Sequence, residues 1–139
     1  MTARFFGDTN IFLSAASKDP ADREKKKRAR ALLESEDVGF SAQVLHEFYH
    51  AAAGKKRLGI SEVEALQIVG AMMEFPVLPV TGKLVLRAIE EKSKHGISYW
   101  DAAIVAAAQE LGCEVIYTED LNHGQDYAGV IARNPFVKT

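Results

Sequence analysis

The sequence predicts an α/β fold in which helices cover both faces of a mostly parallel sheet of about five strands. Short apolar runs alternate along the chain with longer segments that carry helix caps and helical spacing. This alternation is typical of parallel strands joined by crossover helices. One segment, residues 98–111, is apolar on nearly every side, which indicates a helix buried against the sheet.

Five short segments are predicted as strands because they are apolar and rich in aromatic and β-branched residues. Turn-forming residues or helix caps bound them. They comprise residues 3–7, 38–40, 77–80, 114–118 and 130–132. Ligands of open α/β sheets bind beyond the carboxyl ends of the strands, so the residues that follow these segments are candidates for a functional site.

Six helices are predicted from caps and turn signals. Thr9 caps the first helix, Pro20 lies in the first turn of the second, and Ser41 caps the third. Ser61 and Glu64 have the spacing of a capping box at the start of the fourth helix. The predicted helices cover residues 10–15, 21–34, 42–53, 62–75, 83–94 and 98–111.

Length and composition predict one globular domain over residues 1–139. Of these residues 47% are hydrophobic, which supplies one core and leaves little room for a second. The single cysteine, Cys113, excludes an internal disulfide and indicates a reduced compartment, so we expect a cytoplasmic protein. No apolar stretch approaches the ~20 residues that span a bilayer, and we expect neither membrane insertion nor export.

The overall charge does not indicate a protein that binds nucleic acid. The net charge is -2 and the pI is about 6.1, so attraction to a polyanion requires local basic patches. Three basic runs are present, at residues 25–30, 55–57 and 83–94. Such runs are usually solvated faces, but any that border a site are able to hold an RNA backbone.

Four acidic residues occupy positions at which apolar runs should bury their side chains. These residues are Asp8, Glu47, Asp101 and Asp120. A carboxylate that loses its hydration at such a position either takes up a proton or destabilises the fold. A shared divalent cation removes this conflict, so the four acids predict a metal site near the carboxyl ends of the strands.

Three of these acids also have ordinary structural interpretations. Asp8 is able to cap the first helix, Asp101 has capping-box spacing from Ser98, and Asp120 is a typical loop residue. Glu47 differs, since it lies in the apolar stripe of a helix where nothing local requires an acid. The joint position of all four at one end of one sheet favours the shared site.

Four segments resemble the acidic motifs of PIN-domain ribonucleases, most closely those of bacterial VapC-type toxins. They are residues 6–12 (FGDTNIF), 41–49 (SAQVLHEFY), 99–108 (YWDAAIVAAA) and 116–121 (IYTEDL). The motifs come in the family's order, and the likeness covers essentially the whole chain. The resemblance implies a small three-layer α/β/α sandwich that holds Mg2+ or Mn2+ and hydrolyses the phosphodiester bonds of RNA as an endoribonuclease.

The resemblance also implies the site residues. The four acids fall on the family's acidic positions and would be both catalytic and metal-binding, with Asn10 and Thr118 as polar catalytic neighbours. The Thr-x-Asp spacing favours Asp120 at the fourth position, although Glu119 adjoins it and Asp126 lies nearby in the sequence. Magnesium prefers hard oxygen ligands of this kind and keeps several waters.

Partners are implied in the same way. A VapC-type protein forms a homodimer and pairs with a small antitoxin, and residues 66–73 are a candidate contact surface because methionines suit adaptable interfaces. A noncatalytic PIN-like binding protein, in which the acids serve only structure or docking, is an alternative.

A different enzyme class is suggested by the motif His46-Glu47-x-x-His50, which has the H-E-x-x-H pattern of zinc peptidases. Histidines one turn apart on a helix chelate zinc, and the glutamate between them acts as general base. A third ligand is required, for which Glu62 or Glu64 is a candidate. This alternative leaves the other three acids unexplained.

Overall fold

Six strands form one sheet in the computed structural model, which describes residues 1–137. The strands are β1 (Phe5–Gly7), β2 (Val38–Ser41), β3 (Val77–Leu78), β4 (Val115–Tyr117), β5 (Asp126–Tyr127) and β6 (Val130–Arg133). Their order is β3-β2-β1-β4-β6-β5, and all neighbours are parallel except β5 and β6. The predicted mostly parallel sheet is therefore confirmed, with one strand more than expected.

Six α-helices connect these strands. They are α1 (Thr9–Ala16), α2 (Arg23–Ser35), α3 (Ala42–Gly54), α4 (Glu62–Met72), α5 (Gly82–His95) and α6 (Tyr99–Glu110). Helix α1 packs against α2 and α3, and α3 packs against α4, whereas α5 packs against α6. Crossovers between parallel strands are right-handed almost without exception. The connections toward β2 and β3 therefore lie on one face of the sheet and the connection back to β4 lies on the other, which confirms the α/β/α sandwich.

The core lies on both faces of the short strands. Phe12 from α1 makes edge contacts with Phe40 of β2 at 4.9 Å and with Phe75 at 5.9 Å between ring centroids. On the other face, every residue of α6 from Ala102 to Ala108 is buried, as its apolar composition predicted. The sheet is thus covered twice, which explains why β1 and β2 contain no exposed position.

Helix α1 begins differently from the prediction. Asp8, not Thr9, is the N-cap: its backbone is extended and its carboxylate accepts a hydrogen bond of 2.7 Å from the backbone N–H of Thr9. The expected cap at Thr9 is wrong because Thr9 already has helical geometry as the first residue of α1. Capping therefore accounts for one oxygen of Asp8.

The start of the second helix is also revised. Pro20 opens a short 3-10 turn, Pro20–Asp22, and Asp19 caps it by accepting from the backbone N–H of Ala21. Asp22 is drawn inward by Ser17, whose hydroxyl donates to its carboxylate at 2.7 Å. The regular helix consequently begins only at Arg23.

The caps of α3 and α4 differ in their outcome. Ser61 and Glu64 form both bonds of the predicted capping box. Ser41 precedes α3 as expected but forms no capping hydrogen bond, and its buried hydroxyl has no partner within residues 1–137. Helix α4 ends at Met72, before the predicted end at Phe75, because the chain leaves it in a turn toward β3.

Strand β5 was not predicted. It pairs with β6 in an antiparallel hairpin whose two turn residues, Ala128 and Gly129, both have positive φ, of 54° and 100°. Asn or Asp normally precedes Gly in such a turn, and Ala128 takes that position here, so the sequence lacks the usual dipeptide that predicts a hairpin. Asp126 stabilises the turn by accepting a hydrogen bond from Gly129 at 2.7 Å. None of the helices within residues 1–137 has the length and apolar character needed to cross a membrane.

Candidate functional site

The order in which the chain adds strands to the sheet reverses between the parallel strands β1 and β4. The chain passes from β1 to β2 and β3 on one side, and returns across α5 and α6 to β4 on the other side of β1. A crevice forms at such a point beyond the carboxyl ends of the two strands. Asp8 follows β1 and Thr118 follows β4, and the backbone N–H of Asp8 donates to the carbonyl of Tyr117 at 3.0 Å.

Asp8 is the most deeply buried of the four acids, with 4% of its surface exposed. Its Oδ2 accepts a hydrogen bond of 2.7 Å from the Thr118 hydroxyl, and its Oδ1 accepts from Thr9. Burial nevertheless raises the pKa of Asp8 to about 7, although both hydrogen bonds act in the opposite direction. The negative charges of Asp120 and Glu47 raise it further, so burial and the neighbouring acids together disfavour the ionised form of Asp8.

Glu47 is held from two elements. The Thr9 hydroxyl donates to its Oε2 at 3.2 Å, and the Gln43 side-chain amide donates to its Oε1 at 2.6 Å. The same Gln43 amide donates to the backbone carbonyl of Trp100 at 3.3 Å, which connects α3 to the first turn of α6. Sequence reasoning missed Gln43, although its position one helical turn before Glu47 is a usable signal.

Asp101 lies in the first turn of α6. Ser98 caps this helix by accepting a hydrogen bond of 3.1 Å from the backbone N–H of Asp101. The reciprocal bond that completes the box at Ser61 and Glu64 is not made by the Asp101 carboxylate. Capping by Ser98 therefore does not occupy this carboxylate, whose charge instead raises the pKa of Asp120.

Asp120 is placed by the two predicted polar neighbours. The Thr118 hydroxyl accepts a hydrogen bond of 3.0 Å from the backbone N–H of Asp120, and Asn10 donates to its Oδ2 at 3.4 Å. Asp120 is open to solvent on one side, yet partial burial raises its pKa, followed by the charges of Asp101 and Glu119. The structure thus brings Asp8, Asn10, Thr118 and Asp120 into one hydrogen-bonded group.

The neighbouring acids Glu119 and Asp126 have other contacts. Glu119 forms an ion pair of 2.7 Å with Lys25 of α2. Asp126 is exposed in β5, at the edge of the sheet, and holds the hairpin turn. The negative charge of Glu119 also raises the pKa of Asp120.

The oxygen donors of the site decide whether it fits a metal ion. Within residues 1–137, no group of three His, Cys, Asp or Glu side chains stands close enough together to hold one ion directly. Magnesium does not require such a group, because one or two carboxylates with waters and substrate phosphate are its usual ligands. Asn10 Oδ1 is buried without a partner in the described residues, which leaves a hard oxygen donor beside Asp120. The oxygens present therefore fit a hydrated Mg2+ or Mn2+.

The zinc-peptidase motif does not acquire its third ligand. His46 and His50 are both exposed on α3, while Glu64 is engaged in the capping box and in an ion pair with Lys18. No other His, Cys, Asp or Glu in residues 1–137 completes a three-ligand group with these histidines. Glu47, the proposed general base of that alternative, is instead bonded to Gln43 and Thr9.

Basic side chains border the acids at one place. Lys25, Lys55 and Arg57 line a polar cleft of about 110 Å³ together with Asn10 and Glu119. Lys55 lowers the pKa of Asp120, opposing the effect of burial. Two of the predicted basic runs thus reach the site, where Lys25 pairs with Glu119 and Arg57 pairs with Asp19 and Asp22. In the third run, Arg87 is paired with Glu110.

The family described as PIN domain matches residues 5–126, and none of the curated protein sequences is significantly similar. A solved structure from a toxin-antitoxin complex of Klebsiella pneumoniae has a TM-score of 0.71 at 18% identity, covering 96% of this chain and 98% of that one. VapC20 of Mycobacterium tuberculosis, described as a sarcin-ricin loop cleaving toxin, has a TM-score of 0.67 at 21% identity, with 84% and 89% covered.

A third similar structure is the DNA-bound VapBC complex of Salmonella typhimurium. Its TM-score is 0.64 at 19% identity, and the match covers 95% of this chain and 98% of that one. All three identities lie below 25%, so these structures show likeness of fold.

Proposed function

Because the chain belongs to the PIN-domain family, whose nucleases generally use divalent metal ions, we propose that it is a metal-dependent endoribonuclease. The proposal rests on the position of Asp8 and the acids near it beyond the carboxyl ends of β1 and β4, where the strand order reverses. There, burial and the charges of two further acids raise the pKa of Asp8, and a bound cation would stabilise its ionised form.

The roles of the acids follow from their surroundings. Asp8 and Asp101 are the proposed direct ligands, and Glu47 and Asp120 are proposed either as ligands or as acceptors for waters around the ion. Mg2+ or Mn2+, when bound, neutralises charge on the scissile phosphodiester and lowers the pKa of the attacking water. The protein's part is to hold these oxygens in place through Thr118 and Gln43.

Asn10 is proposed to orient Asp120 and to offer Oδ1 to a water of the ion. Its amide donates to Asp120, so its oxygen faces away from that carboxylate and has no partner in residues 1–137. Thr118 is proposed as a positioning residue, because its hydroxyl serves Asp8 and the backbone of Asp120 at once.

RNA is the proposed substrate. VapC20, a relative in fold, is described as cleaving the sarcin-ricin loop, and the positive charge of Lys55 acts on Asp120 and is able to counter the charge of a phosphate backbone. Single-stranded loops and ends let the backbone enter a recessed site. We keep the cytoplasm as the proposed compartment because Cys113 is a free, buried thiol and thiols stay reduced there.

We also propose that the protein is the toxin of a toxin-antitoxin pair and forms a homodimer. Two of the similar structures belong to toxin-antitoxin or VapBC complexes. In the predicted contact segment, residues 66–73, Leu66 and Met73 are 66% and 58% exposed, whereas Met72 is buried. Only one side of that segment is therefore open to a partner. A reading frame for a short DNA-binding protein directly upstream, whose product copurifies with this chain, would support the pairing.

The nuclease proposal is tested with purified protein and single-stranded RNA. We expect cleavage with Mg2+ or Mn2+, none with EDTA, and loss of cleavage in Asp8→Asn. The matched control is Asp126→Asn, since an asparagine oxygen is able to retain the turn contact to Gly129. Equal activity of the two variants would contradict the proposal and would favour a noncatalytic binding protein or an unrelated site.

A further inference from the structure

Two exposed arginines, Arg28 of α2 and Arg133 of β6, form no ion pair within residues 1–137. The Nε of Arg28 donates to the backbone carbonyl of Pro135 at 3.2 Å, which holds the side chain without cancelling its charge. Its two Nη atoms remain for another acceptor. Guanidinium groups whose charge is not compensated by a carboxylate are suited to bind phosphate.

Both arginines lie near Tyr117, the half-buried last residue of β4. Tyr117 and Arg133 are register partners on parallel strands, so their side chains project from the same face of the sheet. The Tyr117 ring is stacked on Phe5, with 5.4 Å between centroids and an interplanar angle of 23°, which fixes the ring. Together Arg28, Tyr117 and Arg133 form the arginine patch.

The Tyr117 hydroxyl adds a neutral donor to the arginine patch. Burial and the charge of Glu36 raise its pKa, while Arg133, Arg28 and the ion-paired Arg4 lower it. Because the pKa is raised on balance, the hydroxyl keeps its proton at neutral pH. Two cationic groups and one hydroxyl therefore stand together, and all three are donors to anionic oxygens.

The arginine patch is continuous with the acidic site through β4. Tyr117 directly precedes Thr118, whose hydroxyl donates to Asp8 at 2.7 Å. A polyanion that reaches Asp8 beyond the end of β4 therefore has the arginine patch beside it.

Helix α2 makes a second connection. Lys25 lies one turn before Arg28 on this helix and forms an ion pair of 2.7 Å with Glu119. Its Nζ also lies over the Phe136 ring, 5.3 Å from the centroid. Lys25 is thus already engaged, but it neutralises Glu119, an acid that would otherwise repel a polyanion between the arginine patch and the acidic site.

We propose that the arginine patch binds the phosphate backbone of the substrate RNA at nucleotides that flank the cleaved bond. The inference rests on the proposed nuclease function and adds the path of the strand away from the acids. Single-stranded RNA carries a charge at every phosphate, and contacts from arginine to phosphate hold a strand whatever its sequence.

The position of the arginine patch favours RNA over an acidic protein segment. Either polyanion complements the charge of Arg28 and Arg133. An acidic segment gains nothing from continuity with the acids, because carboxylates repel carboxylates. A substrate strand must pass the acids at one phosphate, and its neighbouring phosphates are then attracted to positive charge close by.

The test measures binding of the full-length protein to a labelled single-stranded RNA of about 12 nucleotides by fluorescence anisotropy. Ca2+ replaces Mg2+, and a gel confirms that the RNA stays intact. Arg28→Gln and Arg133→Gln should each reduce the slope of log K against log salt concentration by about 0.7, which weakens binding about 5-fold at about 0.1 M salt. Tyr117→Phe should bind about 2- to 10-fold more weakly with an unchanged slope, because it removes a neutral donor.

Arg30→Gln is the matched control. Arg30 is exposed on the same helix, and its Nε also donates to a backbone carbonyl, that of Ala15 at 2.9 Å. The substitution removes the same charge but on the side of α2 that contacts α1, so affinity and slope should match the parent. Arg28→Lys keeps the charge and should retain the slope.

Three results would overturn the inference. One is an equal effect of Arg28→Gln and Arg30→Gln, which would mean that RNA responds only to the overall charge of α2. Another is competition by a polyglutamate peptide of matched charge that equals competition by unlabelled RNA, which would assign the arginine patch to an acidic protein partner. The third is a parent protein that does not bind RNA.

Cleavage in Mg2+ is assayed separately, so the two proposals fail separately. Arg28→Gln and Arg133→Gln should raise KM and leave kcat unchanged, because they act on binding of the strand. Cleavage that depends on Asp8 but is insensitive to both arginines would overturn only the arginine patch. Absence of cleavage in the parent would overturn the nuclease, even where the arginine patch binds RNA.

Discussion

The Thr118 hydroxyl donates a hydrogen bond of 2.7 Å to Oδ2 of Asp8, and both side chains are buried. This bond joins the residues that follow β1 and β4, the two neighbouring strands at which the strand order reverses. The Thr118 oxygen also accepts from the backbone N–H of Asp120. One hydroxyl therefore fixes a buried carboxylate and the loop that carries a second acid.

Thr118→Val should weaken metal binding while leaving the strand in place. Valine keeps the shape of threonine but removes both hydrogen bonds, so Asp8 loses a donor that stabilises its ionised form. We expect cleavage at low Mg2+ to fall about 10- to 100-fold and to recover partly at high Mg2+. Thr118→Ser keeps the hydroxyl and should stay close to the parent. If Thr118→Val and Thr118→Ser show the same Mg2+ dependence, then the Thr118 hydroxyl does not position the metal-binding acids.

The stability of the metal-free protein should fall as the pH rises. The unfolded pKa of an aspartate is about 3.9, whereas folded Asp8 has a pKa of about 7. Between these values the folded state binds more protons than the unfolded state, so the free energy of unfolding decreases toward pH 7 and stays lower above it. The slope due to this group is at most about 1.4 kcal/mol per pH unit.

Urea unfolding in EDTA, at several values between about pH 5 and pH 8, measures this dependence. Asp8→Asn should flatten the curve in that window, and Mg2+ should bind the parent more tightly as the pH rises because Asp8 must release its proton. A parent that gains stability in EDTA from pH 5 to pH 7, with the same profile in Asp8→Asn, would show that Asp8 is ionised throughout.

Asp101→Asn should separate metal binding from capping. The charge of Asp101 raises the pKa of Asp120, so removing it relieves repulsion in the metal-free protein. We expect a higher Tm in EDTA, a smaller gain in Tm on adding Mg2+, and at least about 100-fold slower cleavage. Ser98→Ala, which loses the cap of α6, should instead cost about 1 kcal/mol and keep the full Mg2+ response. If Asp101→Asn behaves like Ser98→Ala, then Asp101 serves only the helix.

The variant His50→Ala distinguishes the proposed ribonuclease from the alternative zinc peptidase. His50 is exposed on α3, and the described residues supply no third ligand for a zinc ion held by His46 and His50. The variant should retain Mg2+-dependent RNA cleavage within about two-fold, as surface substitutions usually do. Peptidase activity that requires zinc and disappears in His50→Ala would reverse the assignment.

The sequence was sufficient for the frame of the site because strand ends and helix caps are local features. Asp8 follows the apolar run 3–7 and Thr118 ends the run 114–118, both of which were predicted as strands, and the Ser61 capping box is encoded within four residues. Glu47 was found because an acid in an apolar helical stripe conflicts with its surroundings.

The missing parts depend on contacts that are distant in sequence. Lys25 and Glu119 are 94 residues apart, and their ion pair is what distinguishes Glu119 from Asp120. Gln43 gained its role only through Trp100, which α6 brings against α3. Local patterns do not encode such approaches, and the same limit hid β5, which exists through pairing with β6.

We propose that one cation joins carboxylates from separate elements, directly or through its waters, beyond the carboxyl ends of β1 and β4. Anomalous diffraction from crystals soaked in Mn2+ tests it most directly. We expect a manganese peak within coordinating distance of Asp8, with Asp101, Glu47 or Asp120 bound to the ion or to its waters. A soaked crystal whose manganese lies only at His46 and His50, or elsewhere away from Asp8, would contradict it.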